Sequence, residues 1–281
     1  MSDAPELPDW TALAGLGDAA LPLFDVALLI ARDEYPALDT GRYHRLVDRH
    51  VAHLQVEIDA IGYGLLKMQA INRHLFDELG YTGDRAHYYD PRNSYLNDVL
   101  DRRLGNPISL ALVQMEVARR LGVILDGISF PGHFLVRLPV DDGMLVMDPF
   151  NSGRPLDLDT LRARAGAHLG VDTPDDATLA RMLQPASART MLMRVLRNLL
   201  GAYRDAEDWA RVVRCADRLM KLVPDTPDAL RDRALGYLAL GHLDGARQDL
   251  GRYLARHPDA EDAGELRAQL LRIGSAGRAT H

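Results

Sequence analysis

The sequence predicts an α+β chain that is mainly helical and ends in an all-α repeat array. Three observations predict it: helical apolar spacing over the first 80 or so residues, β-rich runs between residues 123 and 147, and a 34-residue period in the C-terminal third. The 281 residues are enough for two domains, each burying its own core. The expected division is 1–185 and 186–281, with the core of the first domain at about 85–160.

Taken in order, Leu21, Phe24, Ala27, Leu28 and Ala31 recur at helical spacing, and that helix must stop at Tyr35, before Pro36. A longer pattern runs from Tyr43 through Leu46, Val47, His50, Leu54 and Ile58 to Ile61. A third, Leu65 to Leu79, closes on Gly80, which suits the left-handed position after a helix. Past the polar stretch HYYDPRNS a helix is expected from Tyr95 to Leu104, with Asp90-Pro91 and Asn93-Ser94 suiting a turn and an N-cap for it. Gly105-Asn106-Pro107 then opens a helix from Ile108 to Leu121. Asn106 is a good N-cap, Pro107 fits the first helical position where a missing N–H costs nothing, and Gly122 closes the element. Beyond it, Val123–Phe130, His133–Leu138 and Met144–Met147 are β-rich, the last two joined by the turn sequence PVDDG. Apolar residues on both faces predict a covered sheet.

The repeat is read from its loop prolines, Pro224 and Pro258, which are 34 residues apart. Ala234, Tyr237, Gly241, Leu243, Ala246 and Leu250 occupy the small, aromatic, glycine, apolar, alanine and large positions of a helix-turn-helix unit. Tyr203, Trp209 and Ala216 keep the same register one unit earlier. Over about residues 187–260 the chain resembles the tetratricopeptide repeat family, with helices expected at Asp228–Leu240 and Leu243–Arg256. Two units fall short of the roughly three such arrays need alone, so they are expected to pack on the rest of the chain, with a capping helix from Glu265 and fraying last residues.

Composition removes several functions. Against 33 Lys+Arg stand 40 Asp+Glu, a net charge of −7, so the basic field that draws proteins to nucleic acid or anionic membranes is missing. The single cysteine, Cys215, cannot close an internal disulfide, and no Cys/His run has zinc spacing, which together predict a cytoplasmic protein. The start MSDAPELPDW lacks the order of a signal peptide, and no apolar run reaches the ~20 residues of a membrane span. His50, His53 and Glu57 share one helical stripe, but with no fourth ligand they read as solvated helix polarity. No metal or other cofactor is expected.

One constellation points to chemistry. With Pro139–Asp142 as a four-residue hairpin loop, Leu138 faces Gly143 and His133 faces Asp148, close enough for imidazole and carboxylate to bond. That is the orienting pair of a nucleophile–His–Asp site. Ser109, in the first turn of the helix after Asn106, is the candidate nucleophile; the competing reading is local backbone bonding, common for serine there.

The run YYDPRNSYLNDVLDRRLGNPISLALVQMEVARRLGV, with FPGHFLVRL and MLVMDPFNSG after it, resembles the transglutaminase-like superfamily, specifically its SirB-type bacterial branch, over residues ~20–260. The resemblance implies a papain-like α+β core and, in active members, acyl transfer or peptide hydrolysis through a thioester. His133 and Asp148 match the family's His and Asp. Aligning Gly105 and Leu121-Gly122 on its landmarks puts Pro107 at the nucleophilic cysteine, and Cys215 lies in the repeats. The reading favoured is a pseudoenzyme that binds a peptide or protein partner through the former cleft, with Asn93, Asn106 and Pro107 as candidate binding residues, or through the repeat groove. The alternative is an amide or ester hydrolase or acyl transferase using Ser109, His133 and Asp148.

Overall fold

The computed structural model describes residues 7–141 and 143–276. The chain forms two compact units, one built on Gly17–Val195 and the other on Leu196 onward together with Asp9–Leu16. Chain order begins with α1 (Trp10–Leu13), a single turn whose Thr11 N–H donates to the Asp9 carboxylate; it belongs to the second unit.

In the first unit, α2 (Leu23–Glu34) and α3 (Thr40–Ala60) bury the expected stripes, among them Phe24 and Leu28, then Tyr43, Val47, Leu54 and Ile58. The third expected helix divides. α4 (Gly64–Asn72) runs into a π-turn over Arg73–Glu78, where the Leu79 N–H reaches back five residues to the His74 carbonyl at 3.0 Å. The wider turn resets the helical phase, so consecutive His74, Leu75 and Phe76 are all buried, which a single α-helical stripe does not allow. Gly80 follows at φ +75°, as its place after the helix predicts.

Short strands β1 (Thr82–Gly83) and β2 (Leu104–Gly105) pair in parallel on either side of α5 (Leu96–Arg102) in the sequence. The expected N-cap Ser94 is used differently. Tyr95 takes that position, and the Ser94 hydroxyl accepts from Asn106 Nδ2 at 2.8 Å. α6 (Pro107–Arg120) is buried nearly all round, packing against α2 to α5, so it is the central helix of the unit.

The sheet is an antiparallel meander of β3 (Asp126–Ile128), β4 (Leu135–Val140), β5 (Gly143–Asp148) and β6 (Arg154–Pro155). Adjacent Leu135 and Val136 are both fully buried, so both faces are covered. α6 packs on β3 and β4. Leu161 of α7 (Leu158–Leu169) and Leu179 of α8 (Asp176–Met182) join Ile128, Phe130, Leu135 and Val146 in one apolar cluster.

The hairpin register differs from the sequence expectation. Val140 pairs with Gly143 and Leu138 with Leu145, so two residues make the loop rather than four; Asp142 lies outside the described residues. Strand period is two, so a slip of two residues leaves each side chain on its expected face. His133 lies two residues before β4, at the end of the Phe130–His133 turn, and does not open the strand.

In the second unit, the repeat helices follow as α9 (Ala188–Asp205), shared across the division, α10 (Trp209–Leu222), α11 (Pro227–Ala239), α12 (Leu243–Arg256) and α13 (Ala263–Ala276). Ala234, Ala246 and Leu250 of the repeat pattern have no exposure, and Gly241 turns the chain at φ +75°. Cys215 is buried with Val212 and Leu219 on the inner stripe of α10. The expected fraying falls on residues 277–281, outside the described residues. Nothing in the sequence periodicity assigns α1 to this unit, yet Leu13 is fully buried and Arg218 of α10 lies 5.0 Å from the centre of the Trp10 ring. No helix among the described residues is long and apolar enough to cross a membrane.

Candidate functional site

The dipeptide Pro131-Gly132 forms the corner that carries His133. The His133 N–H donates to the Phe130 carbonyl at 3.0 Å and Gly132 has φ +67°, as a type II turn with proline then glycine requires. Asp148 ends β5 and caps the 3₁₀ turn Pro149–Asn151. These two termini bring His133 Nε2 to 2.7 Å from Asp148 Oδ1, although the strand ladder does not pair them.

Asp148 is completely buried and accepts five hydrogen bonds: from His133, from the backbone N–H groups of Phe150 and Asn151, from Asn151 Nδ2, and from Arg164 at 3.0 Å. Burial pushes its carboxyl up, but the bond and charge of His133, with Asn151 and Arg164 adding to them, win and hold it down at about 2. An ionised carboxylate can only accept, so the proton of this contact sits on His133 Nε2, leaving Nδ1 as the ring atom for a further partner.

Aromatic groups surround the pair. The Phe150 ring stands edge-on to His133 and to Tyr88, with centroids 5.8 and 5.7 Å apart, and Arg85 covers it at 5.0 Å while bonding Asn151 Oδ1. Tyr89, 78% exposed, extends this aromatic edge outward. Phe150 can lie here because Gly83 has no side chain: a Cβ on it would be 2.4 Å from the ring. Gly83→Ala is expected to displace Phe150 and lower stability by about 1–3 kcal/mol, measured by thermal unfolding.

The other site residues predicted from sequence form a separate knot. Asn106 Oδ1 accepts the Ser109 N–H at 3.0 Å, and Ser109 Oγ accepts the Asn106 N–H at 3.0 Å, a reciprocal cap on α6 with Pro107 buried at its first position. The Ser109 hydroxyl donates to the Asn93 carbonyl at 2.6 Å and has no exposure. Asn93, also buried, donates to the His87 carbonyl at 2.7 Å and accepts from Arg102 at 3.2 Å. Ser109 is thus engaged in backbone pinning, and no bond joins it to His133 among the described residues.

Sequence reasoning missed four contributors. Asn151 and Phe150 had a signal, since Asp-Pro-Phe-Asn is a capped-turn sequence inside the run that carries the family resemblance; Arg85 and Arg164 had none, because their approach is set by tertiary packing. The His50, His53 and Glu57 stripe does not act as a unit: Glu57 is bonded by Arg73 at 2.6 Å, His50 is buried against His74, and His53 is exposed.

Comparisons with known proteins agree with this architecture. The transglutaminase-like superfamily pattern matches residues 41–197, and a tetratricopeptide repeat pattern matches residues 199–271. The chain is 58% identical to a UPF0162 protein of Xylella fastidiosa, across 98% of each chain. It is 33% identical to a UPF0162 protein of Pseudomonas aeruginosa, across 92% of this chain and 94% of that one. It is also 25% identical to the protein SirB1 of Salmonella typhimurium, across 81% of this chain and 83% of that one. No solved structure matches. The α+β core and the repeats that follow are thus matched by sequence across most of the chain, which belongs to the transglutaminase-like superfamily, in the SirB-type arrangement with tetratricopeptide repeats.

Proposed function

We propose that this chain is a degenerate transglutaminase-like protein that binds a peptide or protein partner instead of catalysing acyl transfer. One observation carries the reading: Ser109, the hydroxyl nearest Pro107, where the family resemblance expects the nucleophile, is buried and committed to the Asn93 and Asn106 backbone. A proline can neither attack nor donate an N–H. The His133–Asp148 pair, bordered by Tyr88, Tyr89, Arg85 and Phe150, supplies a polar and aromatic surface of the kind peptides contact. Tetratricopeptide repeats add a second binding surface, which supports a regulatory, interaction-based role. The acidic balance and lone buried Cys215 favour a cytoplasmic protein that uses neither nucleic acid nor membrane.

The His133–Asp148 geometry favours one rival, a hydrolase or acyl transferase using Ser109. It would have to free the Ser109 hydroxyl from both buried backbone partners, at about 1–3 kcal/mol for the groups left unsatisfied. Labelling with serine-directed and amide-directed covalent probes separates the two. Equal, background labelling of wild type, Ser109→Ala and His133→Ala is expected, while Ser109→Ala loses about 2 kcal/mol of stability as a broken cap. Labelling of wild type that disappears in both variants would establish the enzyme.

A further inference from the structure

Away from the His133–Asp148 pair, the π-turn gathers side chains from two helical segments. His53 of α3, with His74 and Glu78 of the turn, offers three ligand atoms within 4.8 Å of one another. His74 Nδ1 is 2.8 Å and His53 Nε2 3.9 Å from the same oxygen, Glu78 Oε2. The two imidazoles stack with centroids 4.6 Å apart. His74 is buried, and its second nitrogen, Nε2, lies 3.3 Å from Nδ1 of the equally buried His50.

We propose that His53 Nε2, His74 Nδ1 and Glu78 Oε2 bind a divalent transition-metal ion, of which Zn²⁺ is the best chemical match. Two imidazole nitrogens and one carboxylate suit zinc and its neighbours, whereas magnesium and calcium take all-oxygen shells. Metal–ligand bonds of ~2.0–2.2 Å set tetrahedral ligands roughly 3.3 Å apart, so the observed 2.8 and 3.9 Å separations bracket the requirement. His53 must tilt out of its stack with His74, and its 64% exposed side chain is free to do so. His50 acts as an outer partner, orienting the His74 ring through Nε2 while Nδ1 faces the metal. A fourth position remains for water or a ligand, the pattern of reactive rather than purely structural zinc sites.

Arg73 opposes the ion. Its guanidinium is 3.2 Å from Glu78 and 2.6 Å from Glu57, so it neutralises the carboxylate that the metal would use. A metal on Nδ1 of the neutral His74 ring takes the place of the proton in the His74–Glu78 contact, which moves to Nε2 facing His50, and leaves Arg73 paired with Glu57.

Titration of the full chain with Co²⁺, read by its visible ligand-field bands, and equilibrium dialysis against Zn²⁺ test the site. One equivalent is expected, with a loss of roughly tenfold or more in affinity for His53→Ala and for Glu78→Gln, both exposed enough to leave the fold intact. Arg73→Gln is expected to tighten binding. Absence of retained metal, or affinity unchanged in both ligand variants, would overturn the proposal. Unchanged or weaker binding in Arg73→Gln would show that the ion is held away from Glu78.

Discussion

Asp148→Ala is expected to lower the stability of the first unit by about 3–5 kcal/mol, the usual cost of removing one partner from a buried charge pair. The change strips an acceptor from five donated bonds. Arg164, partly exposed, can turn to water, but His133 and the N–H groups of Phe150 and Asn151 cannot all do so. For a unit of this size the loss corresponds to a fall of roughly 10 °C in melting temperature. Asp148→Asn does not repair it, because the amide nitrogen would face donors on whichever side it turned.

The pH dependence gives a second reading of the same group. Its folded-state value of about 2 lies below the ordinary 3.8, so its stabilisation is complete above pH 3.8 and is lost as pH falls through 2. The wild type should lose about 2 kcal/mol across that window from this group alone, and Asp148→Ala should not. The gap between the two proteins therefore narrows in acid. A variant melting within about 2 °C of wild type at neutral pH would mean the carboxylate is not the anchor of this turn.

What the sequence revealed, and what it hid, divides along physical lines. Local chemistry was legible: Asn106-Pro107 and Gly122 bound α6 as helix caps do, and the 34-residue period places α11 and α12 within a residue of their observed ends. Features decided at a distance were not. The π-turn is a one-residue accommodation between two packed faces, and nothing in its apolar spacing distinguishes it from an α-helix. The hairpin register depends on a loop whose PVDDG sequence fits more than one length, and the true slip of two was invisible because it preserves faces. Contact between His133 and Asp148 arises from where a turn and a strand end meet, not from the ladder the sequence argument used. Ser109 shows the converse: a residue type compatible with nucleophile and cap, whose role only its buried partners distinguish.

Arg233→Ala should be the most damaging single change in the second unit, at about 3–5 kcal/mol. Arg233 of α11 makes two bonds to Asp249 of α12, at 2.7 and 3.0 Å, and a third to Asp217 of α10 at 3.1 Å. One guanidinium therefore ties three helices across both the intra-repeat and inter-repeat contacts, the terms that set the stability of a short array. Asp249 is almost wholly buried, and Arg252, at 3.9 Å, is its remaining close cation, so truncation leaves a carboxylate in an apolar surround. The measurement is direct because both tryptophans, Trp10 and Trp209, lie in this unit, making their emission a reporter of it. Their unfolding transition should fall by roughly 15 °C or more in Arg233→Ala. Pairing Arg233→Met with Asp249→Leu should recover much of the loss, since an apolar pair carries no stranded charge. If the double variant melts no higher than the single one, the cost lies in the lost bonds between the helices, the one to Asp217 included, and not in the buried carboxylate.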